Sequence, residues 1–247
     1  EHRKKIYESR PVFPQTAGLT TSISSNTGEV SSHGVDIAID YNHAFSNGIY
    51  VTGRGTFTYA TNEILVKNEP QYPYSYLSDI GYHTNQPRGY IADRLFIDES
   101  DIINSPEQFN GLSGGDYTYL PGDIKYVDVN EDGKINELDK VPIGKPYVPE
   151  IIFGFGASIG YKNIDMSFFF QGAANTSFFV GPNAVAPFIN ERNALSVITE
   201  NNWSENNPDP YAFWPRLSTE VVENNNHSST WWLRDGDFIR LKNIEFG

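Results

Sequence analysis

Four segments of the chain alternate apolar and polar residues with a period of two. From Val35 to Phe45 one face carries Val35, Ile37, Ile39, Tyr41 and Phe45, interrupted only by His43, and the other carries Asp36, Ala38, Asp40 and Asn42. Tyr50 to Tyr59 sets Val51, Gly53, Gly55, Phe57 and Tyr59 against Tyr50, Thr52, Arg54, Thr56 and Thr58. Ile151 to Tyr161 places Ile151, Phe153, Phe155, Ala157, Ile159 and Tyr161 opposite Ile152, Gly154, Gly156, Ser158 and Gly160. In the fourth segment Ile164, Met166, Phe168 and Phe170 oppose Asp165, Ser167, Phe169 and Gln171. Side chains alternate between faces only in an extended strand, so this pattern predicts strands with one apolar side. Ser46-Asn47-Gly48 and Lys162-Asn163 are short turn sequences between the members of each pair, and they predict two hairpins.

These strands of about 10 residues match the span of a tilted strand crossing a bilayer. Tight turns at one end and long insertions at the other repeat the asymmetry of outer-membrane barrels. A soluble β-sandwich alternates in the same way, and the pattern leaves both open. The two differ over Phe153, Phe155, Phe168 and Phe170. In a barrel these rings face lipid and are exposed in the protein alone; in a sandwich they pack against a second sheet.

The insertions run over 60–150 and 173–236. The first contains Tyr72-Pro73-Tyr74, a helical turn expected over Ser105 to Phe109 with Ser105 as cap and Pro106 at its first position, a flexible link at Gly111 to Gly115, and a turn at Pro121-Gly122-Asp123. The second holds all four Trp residues, Trp203, Trp214, Trp231 and Trp232, among the polar runs NNWSENNPDP and ENNNHSST. Loops this long within a compact domain are uncommon unless they carry function. Their aromatics fit small cores internal to the loops, a girdle at a membrane interface, or stacking on sugar or peptide ligands.

Within the first insertion, Asp128 to Asp139 reads DVNEDGKINELD. Oxygen-bearing side chains fall at loop positions 1, 3, 5, 9 and 12: Asp128, Asn130, Asp132, Asn136 and Asp139. Gly133 stands where the chain must turn sharply, Lys134 where only a backbone carbonyl is needed, and Ile135 where an apolar anchor belongs. A short loop wraps a hard cation in oxygens with this spacing. The expected ligands are therefore Asp128, Asn130, Asp132, Lys134 through its carbonyl, Asn136 directly or through water, and Asp139. The cofactor is Ca²⁺, with Mg²⁺ as the alternative because Asp139 is shorter than the usual Glu. An Asx-rich turn without metal produces the same string.

Composition narrows the partners. A net charge of −13 opposes nucleic acid. With no Cys there is no disulfide framework and no thiolate metal site. Aromatics at 14%, with 21 Gly and 15 Pro, suit an all-β chain with long turns. No apolar run reaches the roughly 18 residues of a membrane helix. The opening EHRKKIYESR lacks the apolar core of a signal peptide, so a mature product or an internal piece is expected, and the remaining sequence favours the internal piece. Catalytic signatures are missing: there is no G-x-S-x-G, H-E-x-x-H or P-loop, and His2, His33, His43, His83 and His227 are scattered. Asp235-Gly236-Asp237 is read as a turn into the last strand. The chain is not expected to be an enzyme.

Several blocks carry a family likeness: SNTGEVSSHGVDIAIDYN, GYIADRLF, PGDIKYVDVNEDGKINELDKVPIGKPYVPEIIFGFGASIGYKNIDMSFFFQG and WWLRDGDFIRLKNIEFG, together with the opening KKIYESRPVFPQTAGLT. In this order they resemble the C-terminal part of the SusC/RagA family of TonB-dependent outer-membrane transporters, over nearly the whole chain. The resemblance implies antiparallel strands of a large outer-membrane β-barrel of about 22 strands, here a partial barrel, with long extracellular loops and short periplasmic turns. It implies residence in the outer membrane of a Gram-negative bacterium, import of oligosaccharide or peptide, a SusD-like surface lipoprotein as lid, and TonB as the energy source. Against the full family pattern, a plug, a TonB-contacting segment and the last strands are expected to lie outside this chain. The competing expectation is a soluble secreted calcium-stabilised β-domain that binds carbohydrate.

Overall fold

The computed structural model describes residues 1–8, 25–109, 112–113 and 116–247, and separates them into two compact units. The expected link at Gly111, Gly114 and Gly115, and the segment from Arg10 to Thr20 within the family-like opening, fall outside the described residues. The first unit comprises Glu1–Gln86, Lys145–Ser177 and Asp235–Gly247; the second comprises Pro87–Gly144 and Phe178–Arg234.

The first unit is a six-stranded antiparallel sheet in which every strand pairs with the next along the chain. Its strands are β1 (His2–Glu8), β2 (Ser25–Ala44), β3 (Ile49–Val66), β4 (Ile151–Tyr161), β5 (Ile164–Ala174) and β6 (Phe238–Phe246). Both expected hairpins form. At the first, Gly48 adopts φ 86° and its N–H donates to the Phe45 carbonyl at 3.0 Å, while Ile49 N–H donates to Asn47 Oδ1 at 3.1 Å. At the second, Tyr161 faces Ile164 across a two-residue turn in which Lys162 takes φ 56°. Strands β2 and β3 run well beyond the expected segments, to 20 and 18 residues. The added part of β2 is mostly polar and that of β3 ends in the unalternating Ile64-Leu65-Val66, and ladder hydrogen bonds between backbones need no alternating apolar side chain.

Register aligns the apolar positions into one band. Val35, Tyr59, Ile151 and Ala174 share a row, as do Ile37, Phe57, Phe153 and Gly172, and as do Ile39, Gly55, Phe155 and Phe170. Strand β6 joins through a bulge: Phe169 faces Asn243 while Phe170 faces Leu241, which leaves Lys242 as the extra residue. Uninterrupted alternation after Ile239 and Leu241 would send Ile244 and Phe246 to the polar side, and one extra residue restores the phase. The band is open to its surroundings, with Ile39 65%, Ile159 51% and Phe155 43% exposed. Its rings touch one another sideways, Phe155 stacking on Phe170 at 5.3 Å, and no second sheet covers them among the described residues. The sandwich expectation fails on this point.

The opposite face is polar and carries its own lateral contacts. Thr58 Oγ1 donates to Asp36 Oδ1 at 3.0 Å, and Arg54 Nε lies 3.3 Å from Asp40 Oδ1. Two aromatics on this face lie over glycines: Phe169 over Gly154 and Gly156, and Tyr50 over Gly160. Among the described residues, Ala173 and Pro146 are the buried apolar side chains of this unit, and no large one is buried.

The large buried side chains belong to the second unit, where the two long insertions fold together. Tyr90, Leu95, Ile124, Tyr126 and Ile135 from the first pack with Ile198, Trp203, Ala212, Trp214 and Trp232 from the second. Three of the four Trp residues are thus core, and Trp231 packs against them partly buried. Short ladders such as Ala92–Leu95 with Ile124–Tyr126 frame this core. The expected helical turn at Ser105–Phe109 is displaced. The helix α1 spans Glu99–Ile103, with the Asp98 carboxylate accepting from Asp101 N–H at 2.8 Å and Ile102 buried. Pro106 follows the helix instead of opening it, a usual place for proline just past a helix end, and Glu107–Gln108 forms a strand.

The glycine contacts yield a prediction for the sheet. A methyl at Gly154 would stand 2.8 Å from Phe169 Cζ and 3.3 Å from Thr56 Oγ1, both side-chain atoms. Gly154→Ala should therefore cost about 1–3 kcal/mol by overpacking, and Phe169→Ala in the same chain should recover most of it. Equilibrium unfolding of the full-length protein in detergent checks this; a loss that Phe169→Ala leaves untouched would show that the ring is not the obstacle.

Candidate functional site

The acidic loop lies in the second unit, entered from the strand Ile124–Tyr126 and left through a 3₁₀ turn, Glu137–Asp139. Its first half closes on itself. Asp128 Oδ2 accepts from Gly133 N–H at 2.7 Å, Asn130 Oδ1 from Asp132 N–H at 3.2 Å, and Asp132 Oδ1 from Lys134 N–H at 2.9 Å. Asn130 Nδ2 also donates to Asp132 Oδ2 at 3.0 Å. The sharp turn uses Gly133 at φ 86° and Glu131 at φ 60°, and the left-handed conformation costs least at glycine. Asp128, Asn130 and Asp132 are thereby gathered around one turn, as the spacing predicts.

The second half has a different role. Asn136 caps the 3₁₀ turn, its Oδ1 accepting from Leu138 N–H at 2.8 Å. Asp139 is fully buried, and its two oxygens accept from Val129 N–H and Asn136 N–H, each at 2.8 Å. It clasps the start of the loop to its end. Lys134 points its side chain outward, and Ile135 is buried in the core as the expected anchor. Lys134 and Ile135 also form a parallel ladder with Glu107 and Gln108. Among the described residues no three His, Asp or Glu side chains are grouped tightly enough to hold a metal. The donor set nevertheless suits a hard cation: each carboxylate oxygen that accepts one N–H retains further acceptor capacity, and the gathered atoms are all oxygens of the kind calcium takes.

Next to this loop is a cavity of about 370 Å³, a size typical of small-ligand sites. Tyr90, Phe109 and His227 form its aromatic wall. His227 stacks on Phe109 at 3.7 Å and meets Tyr90 edge-on at 5.5 Å. Glu137, Glu223 and Asn224 also line it. Tyr90 OH donates to Glu137 Oε1 at 3.2 Å. Burial lowers the His227 pKa, opposed by Glu223 and Glu137, and burial with the Glu137 charge raises that of Tyr90. Sequence reading missed this cavity, because its residues come from five separated stretches and share no spacing.

Charged braces hold the unit. The Arg94 guanidinium clamps both oxygens of Asp101, one of them at 2.9 Å, and Lys125 Nζ adds a contact at 3.1 Å. Arg94 is the main reason the Asp101 carboxyl is held well below the usual range, with Ile97 N–H and Lys125 adding to it. Asp123 is fully buried; burial pushes its carboxyl up although Arg216 Nε lies 2.8 Å away and Asn225 Nδ2 donates to it at 2.8 Å. In the first unit, Lys145 Nζ joins Asp235 and Asp237 at 3.1 and 2.8 Å, which makes Asp235-Gly236-Asp237 the pinned entry to β6.

No family model matches the chain. It is 32% identical over 160 residues to TonB-dependent receptor P26 of Formosa agariphila, across 61% of this chain and 16% of the relative. It is 25% identical over 259 residues to TonB-dependent receptor P3 of the same organism, across 96% of this chain and 23% of the relative. Among solved structures, a chain of the RagAB peptide importer in the 'open-open' state matches with a TM-score of 0.67 at 17% identity, over 99% of this chain and 25% of that one. The RagAB peptide transporter matches with a TM-score of 0.65 at 17% identity, with the same coverage. The chain thus spans about a quarter or less of these proteins; the likeness to TonB-dependent receptors read from its sequence holds along nearly all of it, and its fold is that of the matching part of the RagAB chains.

Two predictions follow from the braces. Asp101 has a folded pKa below its ordinary value, so its contribution is complete above about pH 4 and is lost as pH falls towards the folded value. Asp101→Asn should destabilise the unit by about 1.5–3 kcal/mol at pH 7, and the gap to wild type should shrink at pH 3. Thermal unfolding at the two pH values measures it. Asp139→Asn turns an N–H donor towards Val129 or Asn136 N–H, and should cost about 1–3 kcal/mol. Faster tryptic cleavage after Lys134 is its readout, and an unchanged digestion pattern would contradict the clasp.

Proposed function

We propose that this chain, a relative of TonB-dependent receptors, forms part of the wall and the outer loops of a SusC/RagA-type barrel that imports nutrients across the outer membrane of a Gram-negative bacterium. The carrying observation is the six-stranded meander, which buries no large apolar side chain among the described residues and is apolar and exposed on one face and polar on the other. Such a face is stable when lipid covers it, and such a sheet is complete when its edges close into a barrel. Phe45 and Tyr161 at the hairpin ends sit where barrels place interfacial aromatics. On this reading the hairpin turns face the periplasm and the Trp-rich unit faces outward. The partners are a SusD-like lipoprotein above, TonB below and outer-membrane lipid around. The cargo is an oligopeptide or oligosaccharide, with the peptide favoured by the RagAB likeness.

The acidic loop supports a second element of the proposal: Ca²⁺ held by Asp128, Asn130, Asp132, the Lys134 carbonyl, Asn136 and Asp139, stiffening an external loop without taking part in chemistry. The gathering of Asp128, Asn130 and Asp132 around one turn favours it. Mg²⁺ is the weaker candidate, since it demands near-ideal octahedral geometry.

The membrane reading makes the two faces unequal. In the full-length protein, Phe155→Arg on the apolar face should cost about 2–4 kcal/mol and reduce the heat-modifiable folded form on unheated gels. Ser158→Arg on the polar face should leave that form intact. Extraction without detergent, or equal tolerance of both substitutions, would remove the barrel assignment. For the loop, calorimetry of the full-length protein should show calcium binding that Asp132→Ala weakens at least tenfold; absence of heat in both proteins would remove the metal.

A further inference from the structure

The cavity beside the acidic loop is unlike the rest of the second unit in what it offers a ligand. Its charged groups are both acidic, the exposed carboxylates of Glu137 and Glu223, with Thr118, Asn136 and His227 among the neutral polar groups beside them. Asn224 is 7% exposed and donates through Nδ2 to the Ile124 carbonyl at 2.7 Å, while its Oδ1 has no hydrogen-bond partner among the described residues. That oxygen is itself enclosed and does not open into the cavity, so the two carboxylates are the groups that a ligand meets. Lys140 Nζ stands 3.8 Å from Glu137 Oε2 with both side chains open to solvent, and such surface pairs contribute little.

The apolar side of the cavity fits the same ligand. Phe109, stacked on His227 and edge-on to Tyr90, holds its backbone at φ 47°. A non-glycine residue in that region is strained by about 1–2 kcal/mol, and residues kept so cluster at ligand sites. Ring faces beside carboxylates attract a cation through the ring quadrupole as well as through charge. Two carboxylates line the cavity and no Lys or Arg does among the described residues, a balance that favours a cation over neutral sugar hydroxyls.

We propose that this cavity is a subsite for a protonated guanidinium or ammonium group, the basic end of an arginine or lysine side chain. Taking that side chain to belong to peptide cargo rests on the import reading; the subsite itself does not. Glu137 and Glu223 hold the charge, and the aromatic wall flanks the alkyl stem.

The test is calorimetry on the full-length protein in detergent with N-acetyl-arginine amide, against N-acetyl-citrulline amide as its uncharged isostere. The arginine probe should bind at least tenfold more tightly than the citrulline probe. Glu137→Gln with Glu223→Gln should erase that preference, whereas Glu205→Gln, outside the cavity, should not. The single variant Glu223→Gln, at an exposed carboxylate, should lose a measurable part of the preference and serves if the double variant fails to assemble. Equal binding of the two probes, no heat with either, or a preference unchanged in the variants would overturn the subsite. Cellular uptake of the tripeptide Ala-Arg-Ala separates the two ideas. Binding without uptake removes the import reading alone, and uptake with the probe preference absent removes the subsite alone.

Discussion

Ladder hydrogen bonding between consecutive strands is the interaction on which the first unit depends. Its six strands bury almost none of their large apolar side chains. Elsewhere in folded proteins burial of apolar surface is the dominant stabilising term, and here that term has to come from outside the chain. Backbone pairing holds the strands in register, lateral contacts such as Phe155 on Phe170 add to it, and the glycines under Phe169 and Tyr50 let aromatics lie flat on the sheet. Such a sheet has a defined shape but an incomplete environment. On the barrel reading proposed above, lipid against the apolar face supplies what is missing.

The second unit is built on the opposite principle. Two insertions far apart in sequence meet around Tyr126, Trp214 and Trp232, and the unit owns the buried core that the sheet lacks. Polar ties are correspondingly buried. Asn225 Nδ2 donates to Asp123, its Oδ1 accepts from Ile124 N–H, and its carbonyl accepts from Trp232 Nε1. The run ENNNHSST, which reads as a loose polar linker, is in fact a set of amide pins that satisfy backbone groups of the neighbouring insertion. A loop region with its own core can present a shaped surface, which mobile loops cannot.

That rigidity bears on the acidic loop and its neighbouring cavity. Ile135 is buried and Asp139 is wholly enclosed, so the loop is anchored at its end while Asp128, Asn130 and Asp132 remain near the surface. Glu137 belongs at once to the 3₁₀ turn that closes the loop and to the wall of the cavity. A cation held by the loop would therefore stiffen one wall of the proposed subsite, coupling the two without any shared ligand.

Sequence by itself determined the strands, their faces and the two hairpin turns, because period-two alternation is a local consequence of extended backbone and the turns need only Asn-Gly or a short polar pair. It also determined the string of the acidic loop, whose closing bonds join residues at most ten apart. The outer parts of β2 and β3 were illegible, since neither alternates cleanly and a backbone ladder is indifferent to which side chains it carries. The helix was displaced from Ser105 to Glu99 because Asp98 caps better with Asp101 within reach, and Pro106 serves equally well after a helix as within its first turn. Only the tertiary structure decided that the apolar face stays open, that Lys242 is a bulge keeping Ile244 and Phe246 in phase, and that both insertions share one core. It alone gathered Tyr90, Phe109, Glu137, Glu223 and His227 around a cavity. These outcomes depend on contacts between residues as many as 138 positions apart, and no local pattern records which distant partners will meet.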